Sequence, residues 1–277
     1  MNSTCSTAWR ARPETVSFRS EEPIPVITGL GRVAVCALLV ATSGCVSTPR
    51  TDRLLVFAAA SLTTPFTEIG SRFTAANPGT VVEFSFAGSA DLLSQLTQGA
   101  EADVFASADT LTMSRAAGSR LLAGQPAAFA TNTLTIAVAP ENPLGLRSFR
   151  DLENVSVVVC AVQVPCGAAL PRLEQEAGVD LRPVSEESSV TDVLNKVTSG
   201  AADAGLVYVT DALAAGDSVT AVAFPEAANA VNTYQIATLR QSRNATSADV
   251  FANFVTGPIG RSALAAAGFG NPPMLAG

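Results

Sequence analysis

The sequence predicts an α/β fold with mostly parallel sheets. Short β-branched runs and helical stripes follow one another almost to the end of the chain, and Gly, Pro or Asn marks nearly every change of period. No internal repeat, low-complexity tract or long linker interrupts the series after about residue 53. The composition admits a packed interior, because 48% of the 277 residues are hydrophobic and only 15% are charged, which excludes a disordered chain.

In order, residues 54–59 read as a short buried strand, and Phe66, Ile69 and Phe73 then recur at i, i+3, i+7 until Asn77-Pro78-Gly79 stops the helix. Residues 81–87 read as the next strand, Leu92, Leu93 and Leu96 as a helical stripe closed by Gly99, and residues 103–107 as a third strand. A strand at 134–139 runs into a Pro/Asn/Gly loop. Residues 155–160 are β-branched and predict a buried strand, followed by a helix from near Gly167 to Gly178. Val190, Val193, Leu194 and Val197 mark a further helix that stops at Gly200. Strands are expected at 205–208, 219–224 and 233–239, and the tail reads as helix around Val250–Val255 and again after Gly257-Pro258.

Composition removes several functions. The chain has no histidine, so Ser/His/Asp or Cys/His nucleophilic machinery, His-ligated zinc and a histidine general base are all excluded. A net charge of −7 with no Lys/Arg cluster excludes nucleic acid as a partner.

The amino terminus reads as an export signal. Arg32 precedes an apolar run at 33–41, too short to span a bilayer, and Thr42-Ser-Gly-Cys45 supplies small residues before a cut. Residues 1–44 are therefore expected to be a signal peptide, Cys45 the lipid acceptor of a lipobox-like sequence, and 45–53 a lipidated tether to the outer face of the cell membrane. Removing residues 1–44 leaves 13 basic and 21 acidic residues, a net charge of −8. Outside the cytoplasm Cys160 and Cys166 are expected to form a disulfide; two ligands are too few for structural zinc, and free buried thiols are the alternative.

Four strand-to-helix junctions place a hydroxyl or glycine where a helix begins: Ser61, Ala87-Gly-Ser89, Pro165-Cys166-Gly167 and Ser188-Ser-Val190. Each offers free backbone N–H groups at the positive end of a helix dipole, which favours a bound anion. Taken singly, a serine before a helix is more often an N-cap. Convergence of several such junctions on one crevice is what an open α/β sheet provides at the carboxyl ends of its strands, where Tyr208 would add a phenol donor.

Phe57-Ala-Ala-Ala-Ser-Leu62, Phe84-Ser-Phe-Ala-Gly-Ser89, Gln98 through Asp109, Gly205-Leu-Val-Tyr208 with Asp211-Ala212, Phe224-Pro-Glu226 and Gly257-Pro258 together resemble, in order and spacing, the molybdate-binding proteins of ABC transporters over residues 54–270. The resemblance implies a type II two-domain periplasmic-binding-protein fold with the ligand cleft between domains joined by two crossover strands near 132–134 and 232–234. Domain I is then 54–132 plus 235–277 and domain II is 133–234. It also implies a non-enzymatic, monomeric receptor without cofactor that captures molybdate or tungstate and hands it to a permease and its ATPase. Carried over by position, the ligand contacts are the hydroxyl and N–H of Ser61 and Ser89, the N–H groups of Cys166 and Val190, and the Tyr208 hydroxyl.

Two departures stand out. The Asp-Pro dipeptide common in the family is absent from the 160–167 loop, where a disulfide would take over the ordering. The family's Tyr-Pro pair is Tyr234-Gln235 here, which is expected to touch no ligand contact.

The chemistry agrees with the resemblance. Molybdate is an unprotonated dianion with four accepting oxygens, so its pocket should present neutral donors only, with sulfate excluded by size and Glu186 and Glu187 pointing away. The alternatives are the same fold holding sulfate, phosphate or ferric ion, and an esterase-like enzyme with Ser61 or Ser89 as nucleophile and Lys196 as base. Two tyrosines and no histidine disfavour iron.

Overall fold

The structure, a computed structural model, describes residues 52–272. The expected signal peptide, Cys45 and most of the tether lie outside the described residues. The chain forms β1 (Asp52–Ala59), α1 (Thr63–Ala76), β2 (Thr80–Ala87), α2 (Ser89–Thr97), β3 (Val104–Ser107), α3 (Thr110–Gly118), β4 (Ala127–Asn132) and β5 (Leu134–Val138). It continues as β6 (Val157–Cys160), α4 (Leu170–Ala177), β7 (Ser185–Glu187), α5 (Val190–Thr198), β8 (Ala204–Tyr208), α6 (Val209–Ala215), β9 (Thr220–Val222), β10 (Asn232–Thr238), α7 (Ala245–Thr256) and α8 (Pro258–Ala266). The last two residues of the expected tether, Asp52 and Arg53, already pair with Thr80 and Val81 in the first sheet.

Two five-stranded sheets carry two lobes, ordered β2-β1-β3-β10-β4 and β7-β6-β8-β5-β9. The sheets are mixed, which corrects the expectation of mostly parallel pairing: in each, the fourth strand runs antiparallel to both of its neighbours. The reason is topological. Those two strands, β10 and β5, are the ones that enter a lobe directly from the other, without the helical crossover that would turn a strand parallel. β4 passes into β5 through Thr133 alone, and β10 pairs with β4 from the Asn132–Asn232 register onward, so the expected boundary at 234/235 falls inside β10.

The period-2 pattern of β1 explains the layering of the first lobe. Leu54, Val56 and Ala58 face a cluster with Phe66, Ile69, Phe73 and Phe251, whereas Phe57 faces Leu92, Leu96, Phe105 and Met113 on the other side of the sheet. Helices therefore cover both faces. Phe73 meets Phe251 and Phe254 edge-to-face at 5.2 and 5.4 Å between ring centroids, and α1 is tied to α7 by those rings. In the second lobe Val157, Val158 and Val159 of β6 are fully buried, as their β-branched run predicts.

One expected helix start moves. Residues 162–169 form consecutive turns, with Gly167 N–H donating to Val164 O, and α4 begins only at Leu170, followed by Pro171. The Pro165-Cys166-Gly167 junction is thus a tight turn and not a helix terminus. A Cβ on Gly167 would lie 2.2 Å from Ala161 O and 2.3 Å from Cys160 O, so the turn needs that glycine. The disulfide is present, joining Cys160 at the end of β6 to Cys166 in the turn with Cα atoms 5.6 Å apart.

Candidate functional site

A small cavity of about 20 Å³ lies where the two lobes meet, on a measure by which about 10–15 Å³ holds one water. Its walls come from six chain segments, and Ser61, Ser89, Cys166, Val190 and Tyr208 all line it. Among the described residues no carboxylate and no cationic side chain does. The lobes are in contact around it: a Cβ on Gly88 of the first lobe would lie 2.1 Å from the Ser188 carbonyl oxygen of the second.

Each donor has a local cause. Ser89 is the first residue of α2 and Val190 the first of α5, so their N–H groups have no carbonyl inside the helix to bond. Ser61 sits in the 3-10 turn Ala60–Leu62 that leads into α1. The dipoles of three helices therefore point toward one spot. The Cys166 N–H donates to no backbone carbonyl among the described residues.

The hydroxyls sort themselves by partner. Ser189 is an ordinary N-cap: its Oγ accepts from Asp192 N–H at 3.2 Å and donates to Asp192 Oδ2 at 2.6 Å, which leaves it nothing to offer. Ser61 and Ser89 make no capping bond. Ser89 Oγ accepts from Ala108 N–H at 3.1 Å, so its own proton is free for the cavity. Ser61 Oγ lies 2.8 Å from Tyr234 Oη. That contact overturns the expectation that the Tyr234-Gln235 step touches no ligand contact. The reason is that Tyr234 lies on the buried face of β10, fully enclosed, with its hydroxyl within hydrogen-bond reach of Ser61.

Tyr208 is 1% exposed, and among the described residues its hydroxyl makes no hydrogen bond of ordinary geometry, with the Tyr234 ring beside it at 6.0 Å between centroids. Burial, reinforced by Tyr234, Asp211 and Asp109, pushes its pKa well above the usual phenol range, so it stays a neutral donor. Beside it Asp211 accepts the Tyr208 N–H at 3.0 Å, yet its burial outweighs that bond and pushes the carboxyl up to about 7. Sequence reasoning named Asp211 only within a motif and Asn232 and Tyr234 only at a crossing, and gave none of them a role at the site; an Asn at each lobe crossing, Asn132 and Asn232, was the available signal.

A larger, mostly apolar groove of about 570 Å³ opens alongside, sharing Ala60 and Ser61 and reaching Leu213 and Phe269. Its size would suit an organic ligand, but the helix termini and the unpartnered hydroxyl converge on the small cavity. Glu186 and Glu187 are outside the cavity lining; Glu187 accepts from Ser185 Oγ and pairs with Lys196 at 3.5 Å. Lys196 is thus committed to a carboxylate away from Ser61 and Ser89, which removes the base of the hydrolase alternative.

Two mixed-sheet lobes joined by two crossings, with an uncharged cavity where they meet, are the architecture of a solute-binding protein. Residues 54–270 match the bacterial extracellular solute-binding proteins, and the chain belongs to that family. Among curated relatives, the molybdate-binding protein ModA of Mycobacterium bovis and of Mycobacterium tuberculosis is 55% identical over 221 residues, covering 79% of this chain and 85% of theirs. ModA of Escherichia coli is 28% identical over 218 residues, 74% of this chain and 84% of its own. Among solved structures, the periplasmic molybdate-binding protein of Azotobacter vinelandii superposes with a TM-score of 0.67 at 20% identity, over 79% of this chain and all of that one. The sulfate-binding protein SubI of Mycobacterium tuberculosis gives 0.69 at 20% identity, over 81% and 88%. At such identities the two structures speak for the fold alone.

Proposed function

We propose that this protein is an extracytoplasmic receptor that captures molybdate, and tungstate with it, and delivers the anion to an ABC permease and its ATPase. The observation that carries the reading is Tyr208, whose buried hydroxyl has no partner of ordinary geometry among the described residues, in the wall of a cavity that no charged side chain among them lines. A neutral phenol left unpaired inside a protein costs free energy unless a ligand completes it. The 55% identity to mycobacterial ModA supports molybdate as that ligand.

In this mechanism the lobes, 54–132 plus 235–277 and 133–234, close around the anion. Ser61 and Ser89 give O–H and N–H, Cys166 and Val190 give N–H, and Tyr208 gives its phenol. All are neutral, so the dianion is solvated by fixed dipoles rather than by a mobile cation. Closure is favoured because the anion binds the closed form better, and the permease reads that form. Cys45 carries the lipid that keeps the receptor at the outer face of the membrane, and the protein acts as a monomer.

Isothermal titration of the purified protein with molybdate, tungstate, sulfate and phosphate tests the reading. One-to-one binding of the first two with the others silent is expected. Preference for sulfate would mean a sulfate receptor on the same fold, and silence with all four would reject the anion site.

A further inference from the structure

β10 brings the chain back into the first lobe, and its first turn of pleat carries two buried polar side chains on one face, Asn232 and Tyr234. The Asn232 carboxamide nitrogen has two hydrogens and donates to two carbonyls, Ala108 O at 3.1 Å and Pro165 O at 3.2 Å. These belong to different lobes. Ala108 follows β3 and gives its own N–H to Ser89 Oγ, while Pro165 immediately precedes Cys166. Two positions along, the Tyr234 hydroxyl meets Ser61 Oγ. One strand face therefore reaches, directly or one residue removed, the cavity donors Ser61, Ser89 and Cys166.

We propose that Asn232 and Tyr234 are positioning residues for the anion, resting on the reading above. Tyr234 donates to Ser61 Oγ, which turns the single Ser61 proton toward the cavity; without it the hydroxyl is free to rotate. Asn232 ties the loop that holds Ser89 to the turn that holds Cys166. Both of its bonds form only while Ala108 and Pro165 stand on either side of one nitrogen, which is the closed arrangement. Opening the lobes strains one of them. Asn232 thereby raises the population of the closed form, and apparent affinity follows that population.

The bulge that follows supports the assignment. Tyr234 pairs with Ala130 and Gln235 with Ala128, so Phe129 is an extra residue in β4 at this step. Such an irregularity re-aims side chains and is placed here beside the cavity. Phe129 packs on the Tyr234 ring at 6.1 Å between centroids, with Phe269 edge-on from the other side at 5.3 Å, which fixes the ring and hence its hydroxyl.

The test uses stopped-flow rates with molybdate and small-angle scattering without it. Tyr234→Phe should weaken binding about tenfold in a Ser61 background and have no further effect in Ser61→Ala, since contacting residues are non-additive. Asn232→Ala, or Asn232→Ser should the alanine variant not fold, should speed dissociation about tenfold with association changed less than about threefold. Either variant should also open the anion-free lobes. A merely structural role would instead lower stability while leaving the rates intact. Additive losses for Tyr234→Phe and Ser61→Ala, or Asn232 variants with wild-type rates and scattering, would overturn the proposal. If the wild-type protein binds none of the tested anions, the anion reading fails, and the scattering of the Asn232 variants alone decides whether the strand latches the lobes.

Discussion

A phenol buried without a partner is a liability in the empty protein and an asset in the filled one, and Tyr208 makes that difference measurable. Tyr208→Phe removes only the oxygen, so the anion-free protein should unfold at the same or a higher temperature while molybdate affinity falls by roughly 1–3 kcal/mol. Loss of apo stability with affinity unchanged would instead make the hydroxyl structural. Asp211 gives a second prediction at this scale. Its carboxyl is pushed up to about 7 by burial, against an ordinary value of 3.8. The folded protein therefore keeps a proton that the unfolded chain releases, and this contribution is complete below 3.8 and lost as pH rises through about 7. Asp211→Asn should raise the melting temperature at about pH 8 more than at about pH 5, in scans at both. Among the site hydroxyls the sequence distinguished little: Ser61, Ser89 and Ser189 all precede or open helices. Only their hydrogen bonds separate the cap, Ser189, from Ser89, which accepts from Ala108 N–H and keeps its proton, and from Ser61, which shares one hydrogen bond with Tyr234.

Elements with a strong period were legible, and those without one were not. Leu92, Leu93 and Leu96 announce α2, but Ala127–Asn132 has Thr131 as its single β-branched residue, and β4 exists because β10 supplies its hydrogen bonds. β7, Ser185–Glu187, is a polar edge strand of the second sheet, where solvent on one side removes the need for an apolar run. α6 starts at Val209 directly after β8, with no linker to announce it. The turn after β6 was expected to be ordered by its disulfide, but Gly167 read as a helix start because the consecutive turns of 162–169 carry no period of their own. Cys160 and Cys166 close a short ring, and Cys166 at its far end lines the cavity. Replacing both by serine should cost roughly 2 kcal/mol of stability, the loop-closure contribution of so short a ring. It should also weaken molybdate binding by about tenfold, because the turn that aims the donor is released. Calorimetry with and without the anion separates the two effects; a loss of stability alone would show that the turn holds its shape unaided.

At the scale of the whole molecule the decisive contact is between backbones. Gly88 has φ −56° and ψ 136°, angles that any residue adopts, so no local conformation demands glycine there. What demands it is the other lobe, because a Cβ would lie 2.1 Å from Ser188 O and 3.1 Å from its carbonyl carbon. That requirement exists only when the lobes are closed, and it could not be read from a sequence in which Gly88 looks like the residue before a helix. The two crossings, by contrast, were legible in outline, though not the mixed pairing they impose on both sheets. Gly88→Ala is therefore a substitution silent in an open protein and obstructive in a closed one. Gly88 is buried where the lobes meet, and opening them relieves the overlap, so the anion-free melting temperature should fall by no more than about 2 °C. Molybdate affinity should fall by more than about tenfold, because each ångström the lobes are held apart takes donors of one lobe out of hydrogen-bond range of an anion held by the other. Small-angle scattering should then record no contraction on adding molybdate. A variant that contracts and binds as the wild type does would mean that capture leaves Gly88 and Ser188 apart, and that the closed contact lies outside the binding cycle.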